Sequence, residues 1–280
     1  MPREWLVDIA HVVFSISAKG SSLNRCYAGW GEKALPSSFG PGFGGLTINQ
    51  RTQNLAYNVS ERMNLFLIGD VHGCFHTLTE LLTHWRPATD RLIQVGDLVD
   101  RGPYIPETVE LARQLNEQHP HTTTFLKGNH EAELLLHYGP AGPNPHWLTQ
   151  GGRTTVKQYR AYPELLAQHL PWLGQRPLLW QNEHVLVSHA GLADSPHARN
   201  PEHPDGLLWR RGPLQRLDRL QVVGHTPTNT GKPWFHAATH ALYIDTGAFL
   251  GRNLTGIRLA PTGEVLDTVL VATHPEDLSC

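Results

Sequence analysis

Short apolar runs recur along the chain from Met63 onward, and each of the first three is followed by a glycine and then a polar residue. They cover residues 64–68, 91–95 and 122–127. Apolar runs of this length that end at a glycine are typical of buried strands that leave a sheet in a tight turn. The pattern therefore predicts three strands in this part of the chain.

Segments with helical periodicity follow each of these runs. The first carries apolar residues at the i, i+3, i+4 and i+7 spacing, starting from Leu78. Residues 107–118 predict a second helix, introduced by Pro106, and residues 132–138 predict a third. Three strand–helix units in succession predict an α/β fold in which parallel strands are joined by right-handed crossovers.

The second half of the chain returns to strands after an irregular middle. Residues 139–176 contain Pro, Trp and Gly, and we expect short helices and loops there. The apolar runs after this region predict further strands at residues 184–187, 220–223, 241–244, 254–259 and 265–271. Because some of these strands follow one another without a helix, we expect mixed sheets flanked by helices.

Residues 1–62 differ in composition from the rest of the chain. Residues 37–62 are rich in Gly, Ser, Asn and Gln and lack sustained periodicity, which suits a flexible tail or linker. The two methionines are Met1 and Met63, and Met63 directly precedes the first predicted strand. We interpret residues 1–62 as a flexible or dispensable extension and residues 63–280 as one domain.

Composition narrows the class of protein. With 40% hydrophobic and 17% charged residues, the 280-residue chain suits a globular domain, and a net charge of −2 gives no reason to expect a nucleic-acid partner. Three widely spaced cysteines argue for a reducing compartment. The apolar stretch at residues 5–18 is too short to span a membrane and is interrupted by Asp8 and His11. We therefore expect a cytoplasmic protein without a membrane partner.

Side chains of metal-ligand type follow five of the predicted strands directly or within a few residues. They are Asp70 and His72, Asp97, Asn129 and His130, His189, and His225. Loops at the carboxyl ends of neighbouring parallel strands converge in α/β sheets, and carboxylate, amide and imidazole groups together suit Mn, Fe or Zn. Such a set is too large for one tetrahedral ion with an open position, so it predicts two ions that share a bridging carboxylate.

Five phrases carry a family resemblance: GDVHG, GDLVDRG, GNHE, SHAG and GHTP, in that order. Together they resemble the phosphoprotein phosphatase branch of the calcineurin-like metallophosphoesterases. The insert HWLTQGG and the segment YIDTGAFLGRNLTGIRL look most similar to bacterial and phage serine/threonine phosphatases of the lambda phosphatase type. The resemblance covers residues 64–260 and leaves residues 1–62 unexplained.

The resemblance implies a role for each motif residue. It implies one metal held by Asp70, His72 and Asp97, and a second held by Asp97, Asn129, His189 and His225. His130 would be the general acid held by Asp100, and Arg101 would bind phosphate together with Asn129. A second phosphate-binding arginine is expected in LLWRRG; the expected spacing after tryptophan selects Arg211, with Arg210 as the alternative.

The implied enzyme is a metal-dependent phosphomonoester hydrolase that uses two divalent cations, Mn²⁺ in the first place and Fe or Zn as alternatives. A hydroxide that both cations activate would attack phosphorus in line. The expected substrates are phosphorylated proteins or peptides, primarily on Ser or Thr, or small phosphoesters. Acceptance of phosphotyrosine and the oligomeric state stay open.

Other functions fit the sequence less well. A cysteine phosphatase would need an arginine six residues after Cys74, where the chain has Glu80. The glycine-rich GPGFGG lacks the Lys of a P-loop. A dinucleoside polyphosphate hydrolase of the same fold is the main alternative, although His72 stands where the resemblance associates those enzymes with Gln. An inactive scaffold is the remaining alternative, and the full set of expected site residues argues against it.

Overall fold

A computed structural model describes residues 63–278 of the chain. The predicted extension at residues 1–62 lies outside these residues, so its role stays a prediction. The described part forms two five-stranded sheets with helices packed beside them. No helix within it is long and apolar enough to cross a bilayer.

The first sheet has the strand order β10-β9-β1-β2-β3. Its strands β1, β2 and β3 run parallel, and β9 and β10 continue the sheet in antiparallel pairing. The bounds are Asn64–Ile68 for β1, Asp90–Gln94 for β2, Thr123–Phe125 for β3, Asn253–Leu259 for β9 and Val265–Ala272 for β10.

The second sheet has the order β4-β5-β6-β8-β7, with β5, β6 and β8 parallel and an antiparallel strand at each edge. The bounds are Leu179–Gln181 for β4, Val185–Ser188 for β5, Leu220–Val223 for β6, Trp234–His236 for β7 and Ala241–Tyr243 for β8.

Helices connect the strands of the first sheet and then form a helical segment before β4. Their bounds are Phe75–Leu82 for α1, Ile105–Gln118 for α2, Asn129–Tyr138 for α3, the single turn Pro145–Trp147 for α4, Arg153–Tyr159 for α5 and Pro163–Gly174 for α6. A π-helical turn, Leu148–Gly152, joins α4 to α5. Short 3₁₀ turns cover Ala248–Leu250 and Pro275–Leu278.

Strand β1 contributes to two apolar cores. Leu65 and Leu67 lie in the cluster between the two sheets, while Phe66 and Ile68 lie in the cluster that the helices cover. Successive side chains of a strand point to opposite faces, so a strand that is apolar at every position is buried on both sides. This explains the unbroken apolar run at the start of the domain and places the end of β1 deep inside the molecule.

The predicted α/β fold with mixed sheets flanked by helices is confirmed, and two details differ. Edge strands β4 and β7 were not predicted, because three residues are too few for a periodic pattern and each strand depends on pairing with a neighbour. Helix α6 is twelve residues long although we expected only short helices and loops. Pro171 inside it interrupts the sequence pattern, while Pro163 occupies the first turn, where proline is tolerated.

Candidate metal site

The predicted ligands converge where the carboxyl ends of strands from both sheets meet. Two groups have ligand atoms within 4.8 Å of one another: His72, Asp97 and His130, and Asp97, His189 and His225. Asp97 belongs to both groups and all five residues are buried. The shared carboxylate is the arrangement expected of a bridge between two cations.

Asp97 stands at the centre of the imidazoles. Its Oδ2 lies 3.4 Å from Nε2 of His72, 3.4 Å from Nε2 of His189 and 3.9 Å from Nε2 of His130. Burial by itself would raise the pKa of Asp97, but the neighbouring His189 and His130 hold it well below the usual range. The group is therefore an ionised carboxylate, which is the form that binds a cation.

Asn129 joins the second group through its amide oxygen. Oδ1 lies 2.9 Å from His189 Nε2 and 2.8 Å from His225 Nδ1, and these two nitrogen atoms are 3.1 Å apart. The pKa of His225 is lowered to about 2, first by burial and then by His189. A neutral imidazole keeps a lone pair for a metal.

Asp70 lies beside both groups without belonging to either. Its Oδ2 accepts a hydrogen bond of 2.9 Å from the backbone N–H of His225, while its Oδ1 is buried and has no hydrogen-bond partner within residues 63–278. Burial and the charge of Asp245 raise the pKa of Asp70 well above its usual value. A buried carboxylate oxygen without a donor is costly, so this orphaned atom fits a site that is completed by a cation.

Backbone carbonyls fix the tautomers of two of the histidines. His72 donates from Nδ1 to the carbonyl of Val99 at 2.7 Å, and His189 donates from Nδ1 to the carbonyl of Val95 at 3.0 Å. Each bond places the ring hydrogen on Nδ1 and leaves the lone pair on Nε2, the nitrogen on the side of Asp97. Such outer hydrogen bonds orient metal-ligating histidines and raise their basicity, and neither carbonyl partner could be identified from the sequence pattern.

Asp100 and His130 form a buried pair next to the first group. Nδ1 of His130 lies 2.6 Å from Oδ2 of Asp100, which is fully buried. Burial acts to lower the pKa of His130, but the charges of Asp97 and Asp100 outweigh it and raise the pKa above the usual value. A raised pKa favours the protonated imidazole, which is the form that donates a proton.

Two of the three predicted arginine positions reach the cavity. Arg101 lies 2.7 Å from His72 Nε2 through Nη1 and 2.9 Å from His130 Nε2 through Nη2. Because that bond takes up the His72 lone pair, metal binding by His72 requires the guanidinium to turn toward the cavity. Arg211 lines the same cavity of about 230 Å³ together with Arg101, Asn129, His130 and His225.

Arg210 is held elsewhere. Its Nη1 donates to Oδ1 of Asp205 at 2.6 Å, and its Nε and Nη2 donate to the carbonyl of Pro213. The geometry therefore separates the two arginines that sequence left as alternatives, and Arg211 is the one placed at the cavity.

Glu131 is a residue whose role the sequence reasoning missed. Its carboxylate accepts four backbone N–H bonds, from Asp97 at 2.8 Å, Leu98 at 2.8 Å, Val99 at 3.2 Å and Gly128 at 2.8 Å. It thereby ties the loop after β2 to the start of α3. The phrase GNHE contains Glu131, and its place in the first turn of a helix was the available signal.

Backbone strain is concentrated at the site. Within residues 63–278, six residues other than glycine have positive φ, and five of them belong to the predicted site: His72, Asp97, Asp100, Arg101 and His225. Residues held in this region cost about 1–3 kcal/mol each and cluster at functional sites. Gly96 contributes in another way, since a Cβ there would lie 2.6 Å from Gly128 N and 3.0 Å from His189 Nδ1.

Comparison with known proteins identifies the family of the chain. A model of the calcineurin-like phosphoesterase family matches residues 63–252, and the chain belongs to that family. Serine/threonine-protein phosphatase 1 of Salmonella typhimurium is 30% identical over 213 residues, which cover 70% of this chain and 92% of the relative. An asymmetrical bis(5'-nucleosyl)-tetraphosphatase PrpE of Bacillus mycoides is also 30% identical, over 232 residues, covering 70% of this chain and 90% of the relative.

A solved structure shows the same fold at lower similarity. A protein serine/threonine phosphatase from Saccharomyces cerevisiae superimposes with a TM-score of 0.57 and 17% identity, covering 80% of this chain and 89% of that one. The protein is a metallophosphoesterase by family, and its relatives are named for two different classes of substrate.

Proposed function

We propose that this protein hydrolyses phosphate monoesters with two divalent cations, and that its substrates are proteins phosphorylated on Ser or Thr. The observation that carries the proposal is the pair of ligand groups that share Asp97. In this assignment Asp70, His72 and Asp97 hold one cation, and Asp97, Asn129, His189 and His225 hold the other. When bound, the cations supply Lewis-acid chemistry that lowers the pKa of water and draws charge from phosphoryl oxygens.

The chain itself performs the remaining steps. Arg101 and Arg211 bind the phosphoryl oxygens, whose negative charge suits the fork of donors on each guanidinium. His130 donates a proton to the leaving oxygen of the ester, a contribution of about 10²–10⁴-fold in general-acid catalysis. Asp100 holds the imidazole through Nδ1 at 2.6 Å, so that Nε2 faces the cavity.

Two observations support the protein phosphatase assignment. His72 occupies the position where the alternative class was associated with Gln, and a relative named as a serine/threonine phosphatase matches over most of its own length. The buried Cys74 forms no disulfide, which is compatible with a cytoplasmic enzyme. We further propose Mn²⁺ as the working cation, because carboxylate, amide and imidazole ligands accept it readily.

A groove next to the site favours a second candidate, hydrolysis of dinucleoside polyphosphates. It has a volume of about 540 Å³, and Arg211 lines both the groove and the metal cavity. On its wall Trp234 is 51% exposed and stacks on Tyr243 with ring centroids 5.0 Å apart. Exposed aromatic faces bind nucleobases by stacking, and relatives named as tetraphosphatases agree with this candidate.

The deciding experiment uses metal-stripped protein assayed with and without Mn²⁺. An aryl phosphate, a phosphoserine peptide and diadenosine tetraphosphate are offered side by side, and product is counted from each. Metal-dependent release of phosphate from the peptide with little cleavage of the dinucleotide supports the proposal. Preference for the dinucleotide supports the second candidate function, with the same metal site. No turnover of any substrate by metal-loaded protein refutes both candidate functions and favours an inactive scaffold.

Two neighbouring aromatic residues give a matched pair of variants for the groove. Trp234 and Phe235 are each 51% exposed, but Trp234 lines the groove and Phe235 does not. For a dinucleotide substrate, Trp234→Ala should lower kcat/KM by about 5- to 150-fold, which corresponds to the loss of one stacked base. Phe235→Ala should have little effect. Equal effects of the two substitutions would exclude a base-binding role for the groove.

A further inference from the structure

The carboxylate of Asp100 is held by three side chains, one from α3 and two from the stretch at residues 145–159. Its Oδ2 accepts from Nδ1 of His130 at 2.6 Å and from Nε1 of Trp147 at 2.6 Å, and its Oδ1 accepts from the hydroxyl of Thr155. Asp100, Trp147 and Thr155 are all fully buried. The orientation of the carboxylate is therefore fixed on both oxygens without solvent.

Trp147 and Thr155, the two donors besides His130, belong to residues 145–159, which comprise α4, the π-helical turn and α5. We refer to this stretch as the insert segment. Gln158 in the same segment donates to the carbonyl of Gly102 at 2.9 Å and accepts from the backbone N–H of Ile105 at 2.7 Å. The insert segment thus contacts the loop after β2 both at Asp100 and just beyond Arg101.

Close packing reinforces these hydrogen bonds. Gly151 has a φ of +116°, and a Cβ there would lie 2.8 Å from Cγ of Arg101 and 3.1 Å from its backbone nitrogen. Asp100 and Arg101 themselves have φ values of +73° and +71°, a region that residues other than glycine occupy uncommonly. The segment lies directly against the strained turn, and a side chain at position 151 would displace it.

We propose that the insert segment positions the Asp100–His130 pair for proton transfer, with Trp147 and Thr155 as the positioning residues. The inference rests on the proposed hydrolytic function and adds two residues to which the sequence motifs assign no role. Trp147 and Thr155 touch no reacting atom. They act by holding Asp100, which in turn fixes the direction in which Nε2 of His130 faces the substrate.

Leaving-group dependence separates positioning from a merely structural role. Cleavage of phenyl phosphate needs protonation of the leaving oxygen, whereas 2,4-dinitrophenyl phosphate releases a stable dinitrophenolate that needs no proton. Trp147→Phe and Thr155→Val should each lower kcat for phenyl phosphate by about tenfold, a part of the 10²–10⁴-fold that a general acid supplies. The kcat for the dinitrophenyl ester should stay within about twofold of wild type, and Thr155→Ser should restore kcat for phenyl phosphate.

Matched controls exist within the same protein. Trp85 is a buried tryptophan whose Nε1 donates to the carbonyl of Asp90, and Thr149 lies in the insert segment with its hydroxyl donating to His146. Trp85→Phe and Thr149→Val should leave the ratio of the two kcat values unchanged. Parallel loss on both esters in Trp147→Phe, or no loss on either, would overturn the positioning role.

A spectroscopic measurement tests the same contact without turnover. The indole N–H resonance of Trp147, assigned by its absence in Trp147→Phe, should shift upfield in Asp100→Asn, because the charged acceptor is lost. Zinc-loaded protein suits the measurement, since Zn²⁺ has a filled d shell. An unshifted resonance would overturn the inference. A wild-type protein that cleaves neither ester would refute the proposed function, and the shift of the indole resonance would then still test the hydrogen bond between Trp147 and Asp100.

Discussion

Replacement of Glu131 by Gln should destabilise the domain at the loop that carries Asp97, the proposed bridging ligand. The Glu131 carboxylate is fully buried, and its two oxygens each accept two backbone N–H bonds. An amide offers one oxygen, so in either orientation two of the four N–H donors face an NH₂ group. A buried donor left without a partner costs about 1–3 kcal/mol, which gives a loss of about 2–6 kcal/mol.

One effect of the substitution acts in the opposite direction. Burial and the charge of Asp97 raise the pKa of Glu131, so removal of its charge relieves part of an unfavourable interaction. The expected loss therefore lies toward the lower end of this range. Against a typical net stability of about 5–15 kcal/mol, even that loss should be large.

Urea unfolding of the metal-free protein, followed by circular dichroism, measures the change in the free energy of unfolding. Bound metal is counted by elemental analysis in separate, metal-loaded samples of the same variants. Glu117→Gln is the control, because Glu117 makes an exposed ion pair with Arg113 whose loss should cost less than about 1 kcal/mol. A Glu131→Gln variant that loses less than about 1 kcal/mol and keeps its metal would refute the assignment of Glu131 as the anchor of this loop.

Three further predictions concern the proposed metal ligands and the proposed general acid. His130→Asn should lose far more rate on phosphoserine than on an activated aryl phosphate, by up to about 10²–10⁴-fold, and equal losses in parallel assays would contradict the general-acid role. Asp97→Asn should release both cations, which elemental analysis against the exposed control Asp267→Asn would detect; two retained equivalents would exclude the bridging role. Metal-free protein should lose stability as pH falls below about 6.5. The reason is that the pKa of His225 in the folded protein is lowered to about 2, so the unfolded chain binds the proton at a higher pH than the folded protein does. A Tm that stays constant down to about pH 4 would count against a buried neutral His225.

The clustering of the candidate ligands could be predicted from sequence, because it follows from the parallel direction of neighbouring strands. Asp70, Asp97 and His189 each follow a strand that runs parallel to its neighbour, and parallel strands bring their carboxyl ends to one edge. That argument places ligands near each other but gives no atom-level partners. The family resemblance supplied roles for Arg101 and Arg211, and the structure brings both to one cavity.

The residues that sequence reasoning missed act through contacts of high sequence separation. Trp147 and Thr155 bond Asp100 across 47 and 55 residues, and no periodic pattern marks either position. The groove beside the site depends on edge strand β7, which exists only because Trp234–His236 pairs with β8. Tertiary pairing of this kind overrides local propensity, so it lies outside what a single sequence reveals.

The left-handed backbone at five site residues has a consequence for how this enzyme can evolve. At about 1–3 kcal/mol each, these conformations together oppose folding by roughly 5–15 kcal/mol, as much as the entire net stability of a typical domain. Glycine adopts the same conformation without strain, so Arg101→Gly should make the protein more heat-resistant while removing the proposed phosphate ligand. A screen for thermostability alone would therefore enrich for inactive variants. At these positions a substitution that raises thermal stability lowers catalytic activity.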